Sequence, residues 1–311
     1  MGDNPILWQP SDARRDASAM QRFMRQHGCD NYDDLYRWSV DHAADFWQAA
    51  CDFCEIKFAR PADTTIARPD SIMDAGWFAG SELNFAENLL RHGGDRAALV
   101  FVGENGDRRE MSFDELRQSV AEIAAGLRRA GVSKGDRVGG YLPNCPEAII
   151  AMLATSSIGA IWSSCSPDFG VNGVVDRFGQ IEPVVLFTAD AYFYNGKQFD
   201  CVDTAAAICA AIPSITTTVV VPFANSGKAI DGLQGGTLFA QFGVSGTGLQ
   251  FEAVPFNHPL FIMYSSGTTG VPKCIVHGHG GTLLQVLKEH VLHCDVGADD
   301  RLFYFTTCGW M

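Results

Sequence analysis

Charged side chains are scarce in this 311-residue chain, and basic ones are scarcer than acidic ones. Charged residues make up 19% of the chain, against about 25% in typical soluble domains. Its 23 Lys and Arg against 36 Asp and Glu give a formal net charge of −13, which argues against a nucleic-acid partner because nucleic-acid binders carry a basic face. A disordered chain would be poorer in apolar residues than the 47% found here. The composition therefore indicates a large folded interior.

The sequence also lacks the usual signals for export or membrane attachment. Its first twenty residues are polar and mixed in charge, and Ile6 stands where a myristoylation signal requires Ser or Thr. The uncharged stretch 148–167 breaks at Gly159, which favours a core helix followed by a buried strand over a membrane span. Ten scattered cysteines, several in apolar runs, are typical of reduced thiols. We therefore expect a cytoplasmic protein without a membrane partner.

The first part of the chain predicts helices. Residues 33–56 place Leu35 and Phe46 among other apolar residues at helical spacing, with charged residues between them. Glycine-rich turns and long β-branched runs are missing there, so a sheet is not expected. We predict a helical domain over residues 1–85 and a second domain over residues 86–311.

The second domain alternates apolar strands with amphipathic helices. Ser112 and Glu115 fit a capping box at the start of its first helix, which ends at Gly131. The strands are predicted at residues 97–102, 137–142, 161–165, 184–188 and 216–221, and the later helices at residues 146–158, 171–180 and 205–211. Strands that are apolar throughout and joined by helices predict a parallel sheet covered on both faces. The expected fold class is therefore α/β.

One segment carries a recognisable chemistry. A strand over residues 260–264 runs into four hydroxyls, two glycines and a lysine, at Ser265, Ser266, Gly267, Thr268, Thr269, Gly270 and Lys273. Glycines let the backbone approach a ligand, backbone N–H groups in such a turn bind anions, and lysine supplies a point charge for phosphate. Pro272 stands where a P-loop has its second glycine, so the segment is not a P-loop. We predict a phosphate-binding loop of another kind.

This loop resembles the phosphate loop of the adenylate-forming superfamily, which includes the acyl-CoA synthetases. Residues 263–311 and residues 77–88 are similar to the acetoacetyl-CoA synthetase family in particular, and residues 112–116 resemble the first core motif of the superfamily. Acetyl- and propionyl-CoA synthetases share the loop but are less similar over residues 292–310. The resemblance thus covers nearly the whole chain.

The resemblance implies ligation of acetoacetate to CoA through an acyl-adenylate, with ATP, Mg²⁺ and CoA as co-substrates. It implies that the loop holds the β- and γ-phosphates of ATP, that Trp310 and Met311 line the acyl and pantetheine pocket, and that Lys197 lies near CoA, with residues 166–169 a weaker candidate. A solvated surface lysine is an equally good interpretation of Lys197. The resemblance identifies neither a metal ligand nor a catalytic side chain in this stretch.

The end of the sequence shapes a further expectation. Residues 302–311 predict an apolar, aromatic strand, and the sequence stops inside it. The family's later motifs for adenine, ribose and Mg²⁺, and its C-terminal domain with a catalytic lysine, have no counterpart before Met311. We expect an N-terminal fragment that is inactive by itself. Another short-chain acyl-CoA synthetase, or a nucleotide- or CoA-binding module without chemistry, is the alternative, and the oligomeric state is open.

Two other motifs have simpler structural interpretations. Residues 131–135 fit Gly-x-Ser-x-Gly, but a helix precedes them and a strand follows, which is the reverse of a hydrolase elbow. Five side chains of metal-ligand type crowd into eighteen residues, at His277, His279, His290, His293 and Cys294. No Glu or second Cys has ligand spacing beside them, so a glycine-rich turn and partly buried helix residues are favoured over a metal site.

Overall fold

The computed structural model describes residues 7–68, 70–71, 74–265 and 270–309. Its first elements are helices, and strands alternate with helices later in the chain. In chain order the elements are α1 (Asp12–Ala17), α2 (Ala19–Gln26), α3 (Tyr32–Asp41), α4 (Ala43–Phe53), β1 (Phe58–Arg60), β2 (Thr64–Ala67), β3 (Gly76–Ala79), β4 (Glu82–Leu83), α5 (Phe85–Leu89), β5 (Ala97–Val102), β6 (Arg108–Ser112), α6 (Phe113–Arg129), β7 (Arg137–Tyr141), α7 (Pro146–Ser157), β8 (Ile161–Cys165), α8 (Val171–Ile181), β9 (Val185–Ala189), β10 (Ala191–Tyr194), β11 (Lys197–Asp200), α9 (Val202–Ala211), β12 (Thr217–Val221), β13 (Gly236–Leu238), α10 (Phe239–Phe242), β14 (Val254–Pro255), β15 (Pro259–Ser265), β16 (Lys273–Gly278) and α11 (His279–Lys288), followed by a π-helical turn (Glu289–His293).

These elements form two compact units. The first comprises the residues up to Lys57, Pro61–Ser81 and Gly281–Tyr304, and the second comprises Phe58–Arg60, Glu82–Gly280 and the residues from Phe305 onward. The first unit thus draws on a segment far along the chain as well as on the predicted helical region. The domain boundary at residue 85 stays a prediction.

The first unit has an aromatic core. The Phe23 ring lies 5.9 Å from the Phe46 ring and 5.2 Å from the Phe53 ring, both in edge contact. The helical prediction is right up to Phe53, except that the chain breaks at His42 between α3 and α4. After Phe53 it is wrong, because β2 and β3 pair as antiparallel strands. The β-branched run Thr64–Ile66 at the start of β2 explains this preference for a strand.

The second unit is built on a seven-stranded sheet with the strand order β13-β12-β9-β7-β8-β15-β16. All neighbours from β13 to β15 are parallel, and only β16 pairs antiparallel with β15. Strand β9 is buried along its whole length, as expected for a strand with helices on both faces. The predicted α/β fold is therefore confirmed, with an antiparallel edge that was not predicted.

The crossover helices cover both faces of this sheet. Helix α7 joins β7 to β8 in one direction, whereas α8 and α9 carry the chain back across β7 to β9 and β12. Because such crossovers are almost always right-handed, reversing the direction moves the helix to the other face.

The capping box of α6 is present, since the Ser112 hydroxyl accepts from the Glu115 N–H at 3.2 Å and the Glu115 carboxylate accepts from the Ser112 N–H at 2.7 Å.

The strands of the structure differ from the predicted ones in three regions. Strand β5 is only half-buried and pairs with β6 in a separate two-stranded sheet, because Arg108–Glu110 of β6 are polar and face solvent. The hairpin β10–β11 was not predicted. Residues 302–307 form no strand, and their aromatic side chains are exposed, since no strand of the described residues pairs with them. The stretch 148–167 forms most of α7 and then β8 as predicted, and no described helix is long and apolar enough to cross a membrane.

Candidate phosphate-binding site

The loops that follow the parallel strands meet at one edge of the central sheet. Strands β7, β8, β9 and β15 run in the same direction. Their carboxyl ends therefore bring the residues after Tyr141, Cys165, Ala189 and Ser265 to this edge. Ligands of open α/β sheets bind in the crevice outside the carboxyl ends of the strands. The predicted phosphate loop starts at this edge.

The phosphate loop closes a β-hairpin. Strand β15 ends at Ser265, β16 begins at Lys273, and these two residues are paired across the hairpin. Gly270 has a φ of +146°, which L side chains rarely adopt, and nothing lies within 4 Å of where its Cβ would be. The other predicted loop residues lie outside the described residues: Ser266, Gly267, Thr268 and Thr269. The structure therefore brings together the two ends of the predicted set.

Lys273 has no carboxylate partner among the residues that the structure describes, and its side chain is exposed. By contrast, Lys228 of the same unit is paired with Asp200 at 2.7 Å and with Asp203 at 2.6 Å. An unpaired ammonium group beside an open glycine backbone suits an anionic ligand such as phosphate.

Helix α8 contacts the β16 arm of this hairpin. The side-chain amide of Gln180 donates from Nε2 to the Pro272 carbonyl at 2.8 Å and to the Asp176 carbonyl at 2.6 Å. Its Oε1 lies 3.5 Å from the Cys274 thiol, which donates to it. These contacts fall on both sides of Lys273. Sequence analysis missed Gln180, because nothing local in the sequence marks a contact with a segment 92 positions away.

The same helix also contacts the β15 arm. The Arg177 guanidinium lies 5.8 Å from the centre of the Tyr264 ring and 4.3 Å from that of Phe169, which belongs to the loop after β8. Tyr264 is further held by Ser163, whose Oγ lies 3.0 Å from the tyrosine hydroxyl. Burial raises the pKa of Tyr264 above its usual range, so this hydroxyl stays neutral. Arg177 was also missed, because its three-residue spacing from Gln180 places the two on one helix face but does not indicate what they contact.

Lys197 stands at the tip of the β10–β11 hairpin. It pairs with Tyr194 around Asn195 and Gly196, whose φ values of +51° and +71° fit a type I′ turn. The Gly196 N–H donates to Glu104 at 2.9 Å. This hairpin follows β9, so it leaves the sheet at the same edge as the phosphate loop. The side chain of Lys197 is exposed, and its contact with CoA stays a prediction.

The chain leading to the predicted acyl pocket packs beside β8. Ser164 Oγ donates to the Cys308 carbonyl at 2.7 Å, and the Asn144 side chain accepts from the Cys308 N–H at 3.0 Å. A mainly apolar cavity of about 170 Å³ lies between α7, β8, β15 and Cys308. Trp310 and Met311 lie outside the described residues, so their role stays a prediction.

The histidine cluster has a structural explanation at His279. This residue is fully buried, and its Nδ1 accepts from the Phe85 N–H at 3.2 Å. Burial, with a smaller effect from His258, lowers the pKa of His279 to about 3, so the ring is neutral. Among the described residues, no group of three His, Cys, Asp or Glu side chains is placed to hold a metal ion.

Comparison with known families decides the assignment. The family profile described as "AMP-binding enzyme" matches residues 85–311, and the profile described as "Acetyl-coenzyme A synthetase N-terminus" matches residues 32–89. The chain belongs to the AMP-binding enzyme family. The region that matches this family contains the central sheet, the β15–β16 hairpin and Lys197.

Individual relatives narrow the resemblance. The chain is 46% identical to acetoacetyl-CoA synthetase of Macaca fascicularis, over 98% of this chain and 48% of that protein. It is 45% identical to acetoacetyl-coenzyme A synthetase of Rhizobium meliloti (strain 1021), with the same coverage. The solved structure of acetoacetyl-CoA synthetase from Streptomyces lividans matches with a TM-score of 0.92 and 41% identity, over 99% of this chain and 48% of that one. The predicted resemblance to acetoacetyl-CoA synthetases is confirmed, and the chain spans about half the length of these relatives.

Proposed function

We propose that this chain is part of an ATP-dependent ligase that joins acetoacetate to CoA, and that its β15–β16 hairpin binds the phosphates of ATP. The observation that carries the proposal is Lys273, which has no carboxylate partner among the described residues and is paired with Ser265 at the carboxyl edge of the sheet. An ammonium group, a hydroxyl and the open backbone at Gly270 fit a polyphosphate. Similarity to acetoacetyl-CoA synthetases supports the choice of acid.

The proposed reaction has two steps. In the first, a carboxylate oxygen of the acid attacks the α-phosphorus of MgATP, and the bond from that phosphorus to the bridging oxygen of the β-phosphate breaks. Pyrophosphate leaves with the electron pair of that bond. In the second, the CoA sulfur attacks the acyl carbon and loses its proton, and AMP leaves with the electron pair of the acyl–oxygen bond.

The hairpin contributes to the first of these steps. Its Lys273 ammonium would offset the negative charge that develops on the leaving pyrophosphate, and preorganised charge of this kind is usually the largest catalytic term. Lys197 would lie near CoA, and Trp310 and Met311 would line the acyl and pantetheine pocket. All ten cysteines lie in the described residues and are free thiols, which supports a cytoplasmic setting.

A substrate panel tests the choice of acid. In a protein that carries this chain and extends over the full length of the relatives, AMP and thioester formation would be measured with acetoacetate, acetate, propionate and butyrate. We expect kcat/KM for acetoacetate to exceed that for butyrate by about tenfold or more, because a pocket that hydrogen-bonds the 3-oxo group rejects an acid lacking it. Equal rates with butyrate would contradict acetoacetate as the substrate. ATP binding without thioester formation from any acid would instead indicate a nucleotide-binding module.

A further inference from the structure

We infer that Gln180 is a positioning residue for the phosphate-binding hairpin and acts through Lys273. This inference rests on the proposed function and adds to it a residue on a separate helix. The Gln180 amide contacts the residue before Lys273 through the Pro272 carbonyl at 2.8 Å and the residue after it through the Cys274 thiol at 3.5 Å. Gln180 itself need not touch the ligand.

The β16 arm needs this support because of where it lies. Strand β16 is the outer strand of the seven-stranded sheet, so among the described strands its one neighbour in the sheet is β15. The pairing with β15 ends at Ser265 and Lys273. Pro272 has no N–H and cannot extend the ladder. Within the described part of the chain, the bond from Gln180 is the one side-chain hydrogen bond to residues 270–272.

Helix α8 is a firm base for that contact. Val174, Phe178 and Ile181 bury its inner face against the core of the second unit. Both amide hydrogens of Gln180 have acceptors, the Pro272 and Asp176 carbonyls, so its side chain is held in one orientation. A lysine whose backbone is already fixed loses less conformational freedom when it binds a ligand. Fixing the backbone around Lys273 therefore favours polyphosphate binding.

The test compares ATP binding, measured by titration calorimetry, by variants of a protein that carries this chain and extends over the full length of the relatives. Gln180→Met keeps the side-chain length and removes both polar contacts. We expect it to raise the dissociation constant of ATP about fivefold, the effect of one hydrogen bond, while the melting temperature stays within about 1 °C because the residue is exposed. The matched control is Asn172→Met, which also exchanges an exposed amide on α8 and should bind ATP like the parent.

A double variant distinguishes positioning from a general structural effect. If Gln180 acts through Lys273, Gln180→Met should add no further loss in a Lys273→Ala background, because coupled residues are not additive. An unchanged ATP affinity in Gln180→Met, or an equal loss in both backgrounds, would overturn the inference. If Lys273→Ala binds ATP more weakly than the parent but Gln180→Met binds it equally well, the inference fails and the proposed function stands. If Lys273→Ala binds ATP like the parent, the proposed function fails with it.

Discussion

Replacing Lys273 with alanine is expected to raise the dissociation constant of ATP about tenfold to a hundredfold. A hydrogen bond to a charged group contributes about 1.5–3 kcal/mol, which corresponds to that range of affinity. The side chain is exposed and has no carboxylate partner among the described residues, so its removal should not unfold the chain. Calorimetric titration with MgATP of a protein that carries this chain over the full length of the relatives measures the effect, and a melting curve checks the fold.

Lys197→Ala is the matched control for this variant. Both lysines are exposed, and both lie in β-hairpins at the carboxyl edge of the sheet. The proposal expects Lys197→Ala to keep the ATP affinity of the parent and to weaken CoA binding instead. Equal losses of ATP affinity in the two variants would show a general effect of net charge and would contradict a specific role for Lys273.

Replacing Asn84 with alanine is expected to lower the free energy of unfolding by about 3 kcal/mol. Asn84 is 1% exposed, and its amide nitrogen shares its hydrogens among the carbonyls of Ser156, Ser157 and Glu252, at 2.9, 3.2 and 2.9 Å. Its Oδ1 also accepts from the Glu87 N–H at 3.2 Å and so caps α5. Alanine would remove the cap and all three amide contacts, while the Ser156 and Ser157 carbonyls would still accept from the N–H groups of Gly159 at 3.1 Å and Glu252 at 2.8 Å. Urea denaturation measures the change.

Asn31→Ala separates the cap from the buried contacts. Asn31 also caps a helix, since its Oδ1 accepts from the Asp34 N–H at 3.0 Å at the start of α3, but it lies at the surface. We expect it to cost about 1 kcal/mol, the usual value for a cap alone. If Asn84→Ala costs no more than Asn31→Ala, the buried carbonyl contacts do not stabilise the second unit as described.

Much of the fold follows from hydrophobic pattern, and its limits have physical causes. Strands β7, β8, β9 and β12 are mostly buried and carry no charged residue beyond Arg137, and they were predicted correctly to within about one residue at each end. Strand β6 and the hairpin β10–β11 lie at the surface, where polar side chains conceal a strand. The antiparallel pairing of β16 with β15 depends on the register of their hairpin, which the hydropathy pattern does not indicate.

The candidate site likewise has parts that the sequence predicts and parts that it does not. The type and order of residues in the segment ending at Lys273 were enough to predict phosphate binding, because that chemistry needs adjacent donors and flexible backbone. The support from Arg177 and Gln180 could not be predicted, because it depends on β15 lying next to β8 in the sheet. Sequence separation hides such contacts, and only the strand order reveals them.

The most direct test of the account is to map where the terminal phosphate of ATP binds. An ATP analogue with a photoreactive group on its γ-phosphate would be crosslinked to a protein that carries this chain over the full length of the relatives, and the labelled peptides would be identified by mass spectrometry. The account predicts labelling within residues 259–278, competed by excess ATP and reduced in Lys273→Ala. Competable labelling that instead falls on the helices of residues 12–53, with residues 259–278 unlabelled, would contradict it.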